Sequence, residues 1–218
     1  MRCASAPSTG RRSRPPSPPA ARPSVLRWVT IAAIGVVAVL VIAVTTKTAS
    51  GDLPGTQIGP PPWSAETAQL PARLAAIGLP ALAAEGEAQH THQHLDLFVD
   101  GRAVIIPPDI GIDPVAGILA PIHTHDTDGI IHVESPVIRD YTLGEFFDVW
   151  GVRFDGHCIG GVCDGNGRTL VVFVNGQPFS GDPRSLLLTA HEEIVVAVGT
   201  PAELPNPIPA SYAFPAGL

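Results

Sequence analysis

The chain has 218 residues and a formal net charge of −7; 15% of its residues are charged and 45% are hydrophobic. A core of about 130 residues already buries roughly two-thirds of its unfolded surface, so the length suits one modest domain with extra segments. The acidic balance argues against a nucleic-acid partner, and the sequence contains no nucleophile elbow, phosphate loop or kinase-type signature.

Residues 1–27 are dominated by Pro, Ser, Ala and Arg, a composition that cannot offset chain entropy by burial, and are read as a disordered cytoplasmic tail. The 19 residues between Arg27 and Lys47, "WVTIAAIGVVAVLVIAVTT", carry no charge. As a helix rising about 1.5 Å per residue they reach about 28 Å, close to the thickness of a bilayer core. Residues 28–46 are therefore expected to form a single transmembrane helix: the run is longer than a signal-peptide core, and a poor small-residue cleavage site follows it. Six arginines precede it without an acidic residue and Lys47 alone follows closely. The positive-inside rule then leaves the N-terminus in the cytoplasm and the rest of the chain outside the plasma membrane. Beyond the span, six arginines face all 20 acidic residues, a balance of −14 that favours cations.

Residues 47–64 are rich in Gly and Pro and read as an extended tether to a domain at 65–218. A short helix is expected first: Pro71 suits an opening turn, Leu70, Leu74 and Ile77 form one apolar stripe, and "GLP" at 78–80 stops it. "HLDLFVDGRAVIIP" (94–107) predicts a hairpin about Asp100-Gly101. In its first arm Leu95, Leu97 and Val99 point one way and His94, Asp96 and Phe98 the other, and His90 and His92 share the parity of His94. In "IIHVES" (130–135) Ile131 and Val133 alternate with His132 and Glu134, the pattern of another strand.

Thr142 and Glu145 form a capping box for a helix over 142–150, with Leu143, Phe146, Phe147 and Trp150 on its buried face and Gly151 at its end. Cys158 and Cys163 flank "IGGV"; in an oxidising compartment a loop with two glycines brings them into bridging range, and a disulfide is expected. Their spacing is not that of a redox pair, and no second cysteine pair completes a zinc site. "TLVVFVNGQPF" is a strand entering an Asn-Gly turn, "EEIVVAVG" is another strand, and the proline-rich ending is expected to lie extended over the surface.

Together these elements predict an α+β domain with a compact mixed or antiparallel sheet and one packed helix. "LVVFVNGQPF…LLLTAHEEIVVAVG" resembles the final part of β-grasp proteins such as small sulfur carriers, although the chain lacks their terminal Gly-Gly; the resemblance bears on fold alone.

Six of the eight histidines fall in 90–94 and 122–135. Two histidines at i and i+2 on a strand face the same way, and their nitrogens can converge on one ion at about 2.0–2.1 Å. His92 and His94, His123 and His125 are therefore expected as metal ligands, with His132 adding a further nitrogen. Imidazole sets suit Zn²⁺ or Cu²⁺ rather than Ca²⁺ or Mg²⁺. Asp96, Asp126 and Glu134 are placed to fix the rings, and Asp126 or Glu134 could serve as a general base. His90 fits a surface or entry segment, and His157 and His191 fit ordinary surface or turn positions.

"HQHLDLFVDG", "IHTHDTDGIIHVESP", "YTLGEFFDVWG" and "LVVFVNG" together resemble a family of small membrane-anchored or secreted His-rich proteins of actinobacteria and archaea. The resemblance spans roughly residues 70–215 and implies an exported domain carrying these histidines, with no activity attached. Three functions fit the residues. The first is a membrane-anchored module that holds copper or zinc outside the cell. The second is a zinc enzyme, for hydrolysis or CO₂ hydration, with a three-histidine open site; its ligand spacing is similar to that of carbonic anhydrases and cupins. The third is a structural or pH-responsive ectodomain.

Overall fold

Leu95, Leu97 and Val99 alternate with His94, Asp96 and Phe98, and in the folded chain the two sets lie on opposite faces of one sheet. A computed structural model describes residues 53–218. The tail and span expected at 1–27 and 28–46 lie outside these residues; among the described residues no helix is long and apolar enough to cross a membrane.

The fold is mixed α+β, with helices α1 (Leu70–Ile77) and α2 (Leu143–Trp150). The strands of the main sheet are β1 (Gln89–Val99), β2 (Arg102–Ala103), β5 (Ile122–His123), β6 (Ile130–Ser135), β9 (Thr169–Val174), β10 (Gln177–Pro178) and β11 (Glu193–Gly199). Short pairs are formed by β3 (Ile112–Asp113) with β4 (Ile118–Leu119) and by β7 (Cys158–Ile159) with β8 (Val162–Cys163). The main sheet runs β10-β9-β11-β1-β6-β5, with β2 hairpinned onto β1. β1 is shared between partners: it runs parallel to β11 from His94 to Val99 and antiparallel to β6 from Gln89 to His94. Asp100-Gly101 and Asn175-Gly176 make the expected turns, both with positive φ.

One face of the sheet holds the core. Leu95, Leu97 and Val99 from β1, Ile131 and Val133 from β6, Ile194, Val196 and Val198 from β11, and Leu170 and Val172 from β9 are buried with Phe146, Phe147 and Trp150 of α2. The helix starts as its sequence predicts: the Glu145 N–H donates to Thr142 Oγ1 (3.2 Å) and the Thr142 N–H to Glu145 Oε2 (3.0 Å). Gly151 closes it in the left-handed conformation. α1 also packs, through Leu70 and Leu74, so the core takes two helices instead of the one expected. The Cys158–Cys163 disulfide closes the β7–β8 hairpin, as the spacing suggested.

The tether expected at 47–64 is corrected in its described part. Leu53 and Trp63 are buried, the Gln57 N–H donates to Gly151 O (2.7 Å), and Trp63 meets Trp150 edge-on at 6.1 Å. Two buried apolar side chains and a backbone hydrogen bond outweigh the local Gly-Pro composition, so residues 53–64 belong to the domain. Arg73, fully buried on α1, fixes them in place: its guanidinium pairs with Glu66 and donates to Pro54 O (3.2 Å) and Val149 O (3.1 Å). The last of these is a carbonyl at the C-terminal end of α2, where the helix dipole favours a cation.

Replacing Arg73 by Met would remove the cation paired with the Glu66 carboxylate and the donor to three carbonyls, those of Pro54, Glu66 and Val149. The expected loss is about 3 kcal/mol of unfolding free energy, read from urea titration of the purified protein monitored by tryptophan fluorescence; an unchanged midpoint would show that the guanidinium does not hold this segment.

Candidate metal centre

The face of the sheet turned away from the helices carries the histidines. Register decides which of them meet. His132 in β6 is the direct partner of His92 in β1 and of His123 in β5, so three imidazoles form a row across three strands. One step along, His90 is opposite Glu134. Opposed residues on one face have Cβ atoms about 4.5–5.5 Å apart, close enough for imidazoles to converge. The rings do converge: centroids lie 4.6 Å apart for His92 and His132, 4.5 Å for His125 and His132, and 4.7 Å for His123 and His125.

The ligand atoms form two groups of possible metal donors that share one carboxylate: His123, His125, His132 and Glu134, and His90, His92 and Glu134. The Nε2 atoms of His123 and His125 are 3.1 Å apart and those of His90 and His92 are 3.2 Å apart. Ligands around a tetrahedral Zn²⁺ with bonds of about 2.0–2.1 Å are separated by about 3.3 Å, so each pair already has the spacing of two corners. Glu134 is buried between them. Its Oε1 lies 3.2 Å from His90 Nε2 and 3.2 Å from His132 Nδ1, and its Oε2 lies 3.7 Å from His123 Nε2. That Oε2 is buried without a hydrogen-bond partner. A buried carboxylate oxygen in this state costs free energy unless a cation or donor reaches it.

Orientation is built in at one ring. His123 Nδ1–H donates to Ala120 O (3.0 Å), which fixes the tautomer and leaves the Nε2 lone pair for an ion. Neutrality is built in at several. Burial pushes the His123 imidazole down to about 4 and that of His132 to about 3, and neighbouring histidines push the same way. Burial and His90 lower His92, while burial and the charge of Glu85 raise Glu134. Crowded imidazoles cannot share several positive charges, so they keep their lone pairs free.

Two expected residues take other places. His94 shares the parity of His92 but not its site. Two residues further along β1, about 6.6 Å on, its partners are Ile130 in β6 and Glu193 in β11. Its Nδ1 lies 2.8 Å from Glu193 Oε2, its Nε2 lies 2.8 Å from Asp128 O, and Tyr212 stacks on it at 3.8 Å. Burial opposes its charge, but the bond to Glu193 and the charges of Glu193 and Asp96 prevail and raise its pKa. It has acceptors at both nitrogens, and with Asp96 and Glu193 it forms a third group of donor spacing, separate from the other two. Asp126 is exposed and belongs to none of the donor groups, because the chain leaves β5 after His123 and turns outward; Glu134 is the carboxylate among the rings.

His90 is exposed, as expected of a surface residue, but its ring also joins His92 and Glu134. Its shared parity with His92 was the available signal. Glu85 is a second residue that periodicity did not reveal. Its Oε1 lies 3.6 Å from His125 Nε2. Gly86 makes this approach possible, since a Cβ there would fall 2.1 Å from the Ser135 carbonyl carbon. Beside His125 opens a cleft of about 510 Å³ lined by Glu85, Asp109 and Asp113 among others. His157 is exposed against Asp164 (2.9 Å), and His191 occupies a turn with positive φ, both as expected.

No family model, curated protein or solved structure matches the chain.

The lowered pKa values of His123 and His132 set a sign. Their unfolded imidazoles take up protons as pH falls through about 6.5 while the folded ones do not. The stability they contribute is complete above about 6.5 and declines as pH falls towards 4 and 3. In metal-free protein, the ring C–H resonances of His123 and His132 are expected to stay constant from pH 7.5 to 5.5 while that of His94 titrates above 6.5. A midpoint for His132 near 6.5 would contradict the crowding that defines the site.

Proposed function

We propose that the domain is a metal-binding module that holds Zn²⁺ or Cu²⁺ through His92, His123, His125, His132 and Glu134, with His90 beside them. The observation that carries this reading is the buried Glu134 Oε2, left without a donor beside His123 and His132, whose burial lowers their pKa values. Such a pocket is electron-rich on every side and is completed by a cation. All its donors are imidazole nitrogen and carboxylate oxygen, with no thiolate or thioether, a set that suits divalent zinc or copper and not Cu(I).

The module is proposed to work outside the plasma membrane on a single N-terminal anchor. The arginine-flanked apolar segment at 28–46 and the disulfide support this, since such bonds persist in oxidising compartments. The likeness to the family of His-rich exported proteins belongs to the same proposal. The strand order β2-β1-β11-β9-β10, with β1 and β11 parallel at its centre, supports a β-grasp-like reading of the fold, β5 and β6 being an addition that brings two of the histidine rows.

A zinc enzyme is the second reading, favoured by one feature: His125 is 39% exposed beside the acidic cleft, so an ion there would face space for a water and a small substrate. In that case Glu134 or Glu85 stands nearest to act as base.

Elemental analysis of the full chain, purified without a polyhistidine tag, tests the first reading. Stoichiometric zinc or copper is expected, reduced at least tenfold in affinity in His123→Ala/His125→Ala, whose fold is checked by circular dichroism. Absence of metal, with none taken up from micromolar Zn²⁺ or Cu²⁺, would leave these side chains as a structural cluster.

A further inference from the structure

We infer that the cluster holds two metal ions, bridged by the Glu134 carboxylate. This rests on the metal-binding reading above and adds the number of ions and their link. Five imidazoles and one carboxylate are more donors than a four-coordinate ion accepts, and their geometry divides them. His90 and His92 project from one strand with their Nε2 atoms 3.2 Å apart; His123 and His125 project from β5 and its end with theirs 3.1 Å apart. Each pair forms a separate donor group, and both groups contain Glu134.

The two oxygens of Glu134 are aimed differently. Oε1 is 3.2 Å from His90 Nε2, 3.9 Å from His92 Nε2 and 3.2 Å from His132 Nδ1, whereas Oε2 is 3.7 Å from His123 Nε2 and has no hydrogen-bond partner. A carboxylate with one oxygen turned to each pair bridges two ions, and paired sites of this kind hold their ions about 3.5–4 Å apart. His132, between the rows and grouped with His123 and His125, completes the second ion's set.

The two positions are unequal. His123, His125, His132 and Glu134 give one ion four protein ligands, three of them buried. His90, His92 and Glu134 give the other only three, and His90 is 55% exposed. The first has all four places filled by protein ligands and retains its ion, although His125 borders the cleft. The second keeps a coordination place open to solvent, where a water, an anion or an accepting protein's ligand can bind, and its ion exchanges.

The test is titration of metal-free full chain with Zn²⁺ against a chromophoric chelator, and with Cu²⁺ followed by electron paramagnetic resonance. Wild type is expected to bind two equivalents, one of them withdrawn by the chelator at least tenfold faster. His90→Ala/His92→Ala is expected to bind one, the slow one. The second equivalent of Cu²⁺ is expected to produce a half-field transition, the signature of two spins a few ångströms apart, which is absent in His90→Ala/His92→Ala and lost or weakened in Glu134→Gln. Because each variant is read by its retained ion as well as its lost one, a variant that fails to fold is recognised by binding none, and the wild-type count and half-field signal then decide alone. One equivalent in wild type overturns the two-ion inference and leaves the single-metal reading standing, whereas none overturns both. Two equivalents without a half-field transition, or a second ion that persists in His90→Ala/His92→Ala, places that ion elsewhere, for instance at His94, Asp96 and Glu193, and overturns the bridge.

Discussion

Backbone pairing of β6 with β1 on one side and β5 on the other is the constraint on which the candidate site depends. Because side chains alternate with a period of two, a one-residue slip in either pairing would send His132 into the core and Ile131 or Val133 out of it. The register is held from the far side of the sheet, where Leu95, Ile131, Val133 and Ile122 are buried against the helices. Hydrophobic burial on one face thus aligns imidazoles on the other. His90, His92, His123, His132 and Glu134 stand on strands that the core already fixes, and His125 follows directly on the end of β5.

The same arrangement concentrates an electrostatic conflict. Glu134 is buried beside His123 and His132, whose own burial holds their pKa values down, and burial raises that of the carboxylate. Two residues along β1 the balance is different: His94 faces Glu193 and the Asp128 carbonyl, which raise its pKa against the effect of burial. Gly129 permits that contact, since any Cβ there would fall 2.6 Å from Leu95 O and 3.0 Å from His94 Nε2. Neighbouring histidines on one strand face therefore differ: burial and His90 lower the pKa of His92, while the bond to Glu193 raises that of His94 against the effect of burial.

Packing also explains why the domain extends further toward the N-terminus than its composition suggests. A stretch with three consecutive prolines reads as a spacer, yet it carries Trp63, whose ring fits edge-on against Trp150, and it borders the buried Arg73. One large aromatic in such a stretch is a sign of docking, because a free tether gains nothing from it.

Sequence alone determined whatever is written within a few residues of itself. The capping box at Thr142 and Glu145, the turns at Asp100-Gly101 and Asn175-Gly176, the alternation of "IIHVES" and the closure of Cys158 with Cys163 are local chemistry, and local chemistry is legible along a chain. It also singled out both histidine stretches, whose His92, His123, His125 and His132 fall in groups that could hold a metal ion, because parity says which strand side chains share a face. Tertiary structure decided which members of a face share a site. That depends on the strand lying opposite: His132 for His92, Glu134 for His90, Ile130 and Glu193 for His94. Pairings between residues some forty to a hundred positions apart leave no periodic trace. For that reason His90 and Glu85 entered the cluster, and His94 and Asp126 left it, only when the sheet was assembled.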